Sequence, residues 1–325
     1  MMWPFDAAGG PGLSIESLWL ALYLLTFALH AVFVSYVAAG AAYAGVAAIR
    51  HSASPIAART RDWLPFMLGA GITAGVGPLL FLQLLYQRRF YTANLLMGPR
   101  WGAVVPALIV GFYALYLAKA GERWRRIALA AGTACFGFVA WSWTELHQLM
   151  ADDPAWRAMY GAGERFHLEL AVVPRLALWL GAMPVLFATV AAWSATPAER
   201  RRLAYLALAG LGLAGAAAAV LIAGHGFESA HGWGPVTVLA AAVALAGWVV
   251  TARRPDGAGL TVTTAATAAA LVAGAVVREV PRLAMIERDR ATAVDAGGLA
   301  VFVVTLGIGI AAIAWVVRTV RGASR

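Results

Sequence analysis

The chain has 325 residues, of which 62% are hydrophobic and 13% charged, about half the charged fraction of an ordinary soluble domain. Its mean hydropathy is +0.74, and a water-soluble fold of this length needs far more polar surface to cover its core. Soluble globular, disordered and fibrous classes are excluded in favour of a polytopic α-helical membrane protein. The net charge of +9 would point to nucleic acid in a soluble chain. Here the arginines lie in short segments between apolar runs, the pattern of topology-setting loops, so nucleic-acid binding is rejected.

Each membrane span needs roughly 20 mostly apolar residues. The sequence predicts an all-α, multi-pass bundle of about nine transmembrane helices, near 16–48, 63–87, 101–119, 124–150, 166–195, 202–224, 233–251, 259–279 and 296–318. No internal boundary is visible, so residues 1–325 read as a single integral membrane domain in a lipid bilayer. One set of loops carries fifteen basic residues and the opposite set nine. That bias puts the N-terminus outside and the C-terminus inside. Met1 to Gly12 has no basic residue before the first apolar run and does not read as a cleaved signal peptide. Cys135 is the only cysteine, which excludes an intrachain disulfide and covalent c-type haem attachment.

Ionisable groups at membrane depth are costly unless paired or wet, so function is sought among them. His30 lies within the first span. Glu145 and His147 occupy the outer turns of the fourth, and His167 and Glu169 open the fifth. Arg175 follows His167 by eight residues, ~12 Å deeper along a helix. His225 and His231 flank the short loop GHGFESAHGWG, and Arg278 and Glu279 end the eighth span. Five of the six histidines thus fall in the outer half, with His51 in the first inner loop. A buried imidazole set facing one aqueous side is the pattern of b-type haem held without covalent attachment.

Each of these residues also has a plainer reading. His30 serves equally as a hydrogen-bonded packing residue. His147 at a helix end reads equally as facing water, and His225 and His231 lie in a Gly-rich turn that solvent can cover. Arg175 needs an anionic partner, either a haem propionate or one of Glu169 and Glu145. Trp141 and Trp143 read as interface or packing aromatics.

The first span carries LTFALHAVFVSYVAAGAAYAGV, the second FMLGAGITAGVGPLLFLQLLYQRRFY, the fourth ends WTELHQLMADDP and the fifth opens RFHLELAVVPRLALWLGAMPVLF. Over residues 1–195 these resemble the first five helices of subunit I of the cytochrome bd quinol oxidases. His30 with Phe33-Val34 resembles the haem-ligating first helix of that family, and His167 takes the place of the histidine that binds its low-spin haem b. Residues 196–325 add four further helices with weaker resemblance, and REVPR at Arg278–Arg282 is loosely similar to the family's Gly-Arg-Gln-Pro-Trp motif.

The departures bear on chemistry. No acidic residue lies between Arg100 and Lys119, where the family's third helix has two glutamates. The Glu-Phe step of its second helix is Leu80-Phe81 here, and its glutamate haem ligand has no counterpart in Ala273–Val277. The quinol loop shrinks to His225–Gly234, and no methionine occupies Pro235–Val238, so His225 or His231 would have to partner the low-spin haem.

The resemblance therefore implies a shortened, divergent member of the superfamily: an electron-transfer subunit in the bacterial inner membrane that holds one or more haem b. His167 and His30 are its expected axial ligands, with His147, His225 and His231 as further candidates. Arg175, Arg278 and Arg282 are the expected partners of haem propionates, because guanidinium pairs bidentately with carboxylate. Quinol or an extracytoplasmic c-type cytochrome would exchange electrons with it, beside a second membrane subunit. Two alternatives stand: a divergent terminal oxidase that reduces oxygen, and a cofactor-free transporter or channel, for which Gly75–Gly77–Pro78 and Pro174–Arg175 are the broken-helix hints.

Overall fold

In hydrocarbon each backbone polar group must be satisfied within its own segment, so apolar runs fold as helices. The computed structural model describes residues 15–162, 169–225, 232–289 and 298–323. The described elements are α1 (Ile15–Ile49), α2 (Pro55–Leu85), α3 (Gln87–Met97), α4 (Pro99–Gly102), α5 (Val104–Ala120), α6 (Arg125–Leu149), α7 (Asp153–Ala162), α8 (Val172–Ala191), α9 (Pro197–His225), α10 (Trp233–Arg253), α11 (Leu260–Asp289) and α12 (Gly298–Ala323). Eight spans among them are long and apolar enough to cross a membrane, with α4 and α5 joined as one, Pro99–Ala120. The protein is an all-α polytopic membrane bundle. The ninth expected run is α12, whose apolar stretch is Val303–Trp315.

Several boundaries differ from the sequence reading, each for a local reason. The second span starts at Pro55, not near 63. The Ser54 hydroxyl accepts a hydrogen bond from the Ala57 amide at 3.4 Å, and Pro55 sits in the first turn. Arg59, Arg61 and Asp62 therefore ride on the helix rather than on a loop. The sixth span starts at Pro197, not 202. Thr196 and Glu199 close a reciprocal capping box there: the Thr196 amide donates to Glu199 Oε2 at 3.0 Å, and the Glu199 amide to Thr196 Oγ1 at 3.4 Å. The fifth span begins at Val172 rather than 166. Two stretches read as outer loops contain short helices, α3 and α7. Each is amphipathic: α3 buries Arg89, Phe90, Ala93 and Met97, and α7 buries Trp156 and Met159.

The spans alternate between two faces. At the face where α1 begins, termed the near face, α1, α3, α6, α7 and α11 meet through Tyr23, Arg89, His147, Asp153 and Arg282. At the far face the 50s, 120s, 190s and 250s meet. Arg126 reaches His51, Arg59 donates to the Ser194 carbonyl at 2.8 Å, and Arg200 donates to the Pro255 and Asp256 carbonyls. This is the sorting of loops into two sets that the basic residues predicted. The helix α1 is central, packing on α2, α6, α8 and α11. Helices α8 and α9 approach so closely at Gly181 and Gly210 that a Cβ on Gly181 would stand 2.5 Å from the Ala214 nitrogen. Small residues at such crossings let backbones touch where no hydrophobic effect drives association.

Glu199 is the main polar clamp of the far face. Besides Thr196, it accepts from the Ile56 amide at 2.8 Å, so the carboxylate holds the starts of α2 and α9 together. Glu199→Ala strands the Ile56 and Thr196 amides and should destabilise the protein by about 1–3 kcal/mol. Thermal unfolding in detergent checks this, with Glu199→Gln expected to lose less. Gly181→Leu should lower the midpoint further still by parting α8 from α9; an unchanged midpoint would contradict the close crossing.

Candidate functional site

A carboxylate in an apolar bundle must be paired or it neutralises. Glu279 on α11 is 1% exposed. Its Oε1 accepts from Arg278 Nε at 2.9 Å and Arg282 Nη1 at 3.1 Å, with the Tyr23 hydroxyl at 3.4 Å. Its Oε2 accepts from the Tyr86 hydroxyl at 2.9 Å. Arg278 also donates to the Tyr23 oxygen at 2.7 Å. Two guanidiniums and two phenols thus converge on one carboxylate. Tyr86 reaches it because α2 stops there and the chain turns into α3.

The network extends to α6. Arg282 donates to His147 Nδ1 at 3.1 Å and to the His147 carbonyl at 3.2 Å. A guanidinium only donates, so Nδ1 accepts and the proton sits on Nε2. One residue on, Gln148 donates to Glu169 through Nε2 and accepts from Arg175 Nη1 at 3.0 Å. Arg175 also donates to the Ala171 carbonyl at 3.0 Å. Gln148 thereby stands between the carboxylate and the guanidinium that the sequence set side by side.

His30 lies seven residues beyond Tyr23, about two turns deeper along α1. Its Nδ1 is 2.8 Å from the Gly71 carbonyl oxygen on α2. A carbonyl only accepts, so Nδ1 donates and the Nε2 lone pair is left for another partner. The ring rests on Gly75: a Cβ there would stand 2.8 Å from His30 Cε1 and 2.9 Å from Nδ1. Toward the near face, Phe27 packs edge-on against Trp179 at 5.5 Å and beneath the Arg278 guanidinium at 4.1 Å. His30, Phe27, His147, Gln148, Arg175, Trp179, Arg278 and Arg282 are all only half-buried. On α8 every residue from Pro174 to Trp179 is half-buried, nearly two turns with no closed face.

Tested against a haem, the histidines divide. A donor bond from Nδ1 to a backbone carbonyl orients an imidazole and leaves Nε2 to bind metal, the usual support of an axial ligand, and His30 has it. His147 does not fit iron ligation through Nδ1, whose lone pair Arg282 occupies. Arg278 and Arg282 already hold Glu279, and a propionate would share them with it. His167 and His231 lie outside the described residues, as does the side chain of His225 at the end of α9. Among the described residues no group of three or more His, Cys, Asp or Glu is gathered to hold a metal ion.

A second charged pair lies nearby. Arg100 Nη2 stands 2.8 Å from Glu145 Oε2, with Glu145 fully buried. The Arg100 guanidinium covers the Trp141 ring at 4.6 Å. Trp143 packs edge-on against Trp101 at 4.9 Å and next to His147 at 5.8 Å. Both indoles of α6 are packing aromatics. The sequence reading missed Tyr23, Tyr86, Gln148 and Arg100, since a tyrosine or glutamine in an apolar run carries no pattern of its own. The one available signal was their placement, within about two turns of span ends on the side already rich in histidine and arginine.

Comparison with known proteins finds no family model, no curated protein and no solved structure that matches the chain.

Glu279→Ala leaves Arg278 and Arg282 uncompensated at their buried ends and should cost about 3–5 kcal/mol. Tyr86→Phe removes one hydrogen bond to the carboxylate and should cost about 1.5–3 kcal/mol. Denaturant unfolding in detergent ranks the two; a milder loss in Glu279→Ala than in Tyr86→Phe would contradict the hub.

Proposed function

We propose that the chain is a haem b-binding electron-transfer subunit of a bacterial inner membrane. The observation that carries this reading is His30, whose Nδ1 is held by the Gly71 carbonyl while its ring lies against Gly75. A packing histidine needs only one hydrogen bond and no glycine under its ring. A ligand needs both its orientation and an unused nitrogen.

Bound haem b supplies one-electron chemistry by cycling between ferric and ferrous iron. The chain's own residues bind and orient it. His30 would hold it through Nε2, and His167 is proposed as a further ligand on the strength of the resemblance to cytochrome bd subunit I. Arg175, Arg278 and Arg282 gather at the near face of the same region and would meet carboxylates of the cofactor. Phe27 and Trp179 would flank it with aromatic surface. The electron partner is proposed to be a quinol in the bilayer or an extracytoplasmic c-type cytochrome, with a second membrane subunit alongside. Terminal oxidase activity is less supported, because no acidic residue lies between Arg100 and Lys119 to carry protons.

A reduced-minus-oxidised spectrum with a pyridine haem assay on the purified protein tests the reading. The wild type should show b-type bands. His30→Ala should lose a b-type signal, and Gly75→Val should lose the same signal by displacing the ring. His147→Ala should keep it. A colourless wild type from haem-replete cells would overturn the proposal, as would an unchanged spectrum in His30→Ala.

A further inference from the structure

The far face holds a cluster that electron transfer does not use. Helices α1 and α6 are close where α1 ends and α6 begins; a Cβ on Gly45 would lie 3.6 Å from Leu129 Cβ. Just beyond, His51 adopts a left-handed backbone at φ 50° and turns the chain out of α1. Its Nε2 lies 3.1 Å from Arg126 Nη2 at the start of α6. The guanidinium donates, so Nδ1 of His51 carries the proton. Both side chains are exposed, and so are their chain neighbours Arg50, Arg123 and Trp124. The Arg123 guanidinium lies over the Trp124 ring at 5.3 Å.

The charge here is unbalanced. Residues 50–62 and 119–126 carry seven cations and two carboxylates. Both carboxylates have partners of their own: Asp62 pairs with Arg61 at 3.2 Å and Glu122 with Arg125 at 3.3 Å. Among the described residues no carboxylate pairs with Arg50, Arg123 or Arg126. Immediately toward the bilayer, Val46 and Ile49 leave an exposed apolar edge on α1. Guanidinium and imidazole donors above apolar surface, with an indole at the boundary, match one ligand chemistry: a phosphodiester attached to acyl chains.

We propose that His51 and Arg126, with Arg50 and Arg123 beside them, form a binding site for the headgroup of an anionic phospholipid. The acyl chains lie along Val46 and Ile49. The occupant is a bilayer lipid rather than free phosphate, because the apolar edge gives a soluble anion nothing to bind.

Native mass spectrometry of the intact, delipidated protein, titrated with phosphatidylglycerol or phosphatidylcholine of matched chains, tests this. The wild type should bind phosphatidylglycerol in preference and be stabilised by it in thermal unfolding, while inorganic phosphate changes neither readout. Arg50→Ala/Arg126→Ala should bind phosphatidylglycerol about thirtyfold more weakly. Arg50→Lys/Arg126→Lys should recover most of that loss. Arg201→Ala/Arg202→Ala, exposed elsewhere on the far face, should behave as wild type. The proposal is overturned by equal binding of the two lipids, by phosphate competing as well as the lipid, or by an undiminished preference in Arg50→Ala/Arg126→Ala. A folded but equally weakened Arg201→Ala/Arg202→Ala would overturn it too, by showing a diffuse field rather than a site.

Discussion

A carboxylate taken out of water among apolar helices survives as a charge only if cations and hydrogen-bond donors replace its hydration. Glu279 meets that requirement with Arg278, Arg282, Tyr23 and Tyr86. Arg278 and Arg282 flank it on α11, while Tyr23 comes from α1 and Tyr86 from the end of α2, so satisfying one carboxylate sets the relation of these three stretches. Arg282 then passes the constraint to α6 through His147. The near face is organised around this charge as much as around apolar packing, since van der Waals contact alone distinguishes helix neighbours weakly in lipid.

The same economy of contacts explains His30. In hydrocarbon an imidazole N–H must find an acceptor, and within a helical bundle most carbonyls are already used. Gly71 O accepts from His30 while α2 runs past with glycine at 75, where a side chain would push the ring away. The histidine and the glycines are one device shared between two helices. The half-buried residues on α1, α6, α8 and α11 above it combine aromatic edges with guanidinium groups, a chemistry suited to a flat, carboxylate-bearing cofactor.

The two faces solve different problems. The near face buries Glu279, Glu145 and Arg89 and pairs each with a charge of the opposite sign, Arg89 with Asp153 at 2.9 Å. The far face leaves most arginines exposed and uses its buried carboxylate, Glu199, to satisfy backbone amides. Function that needs a low-dielectric environment is favoured on the first, and contact with headgroups on the second.

Composition and periodic apolar runs were enough to establish a multi-pass helical bundle, its approximate spans and the division of loops between two faces, because the bilayer admits so few backbone solutions. They also marked the near side as the place where ionisable groups collect. Helix ends were less legible: Ser54, Thr196 and Glu199 extend α2 and α9 into charged sequence through caps that hydropathy does not register. The partners of each buried group were not legible at all. That His30 would meet Gly71 rather than a side chain, that His147 would spend its lone pair on Arg282, and that Tyr23 and Tyr86 would share Glu279 all depend on which helices are neighbours and how each is rotated. Lipid-facing and protein-facing surfaces are equally apolar in sequence, so only the packed bundle decides that.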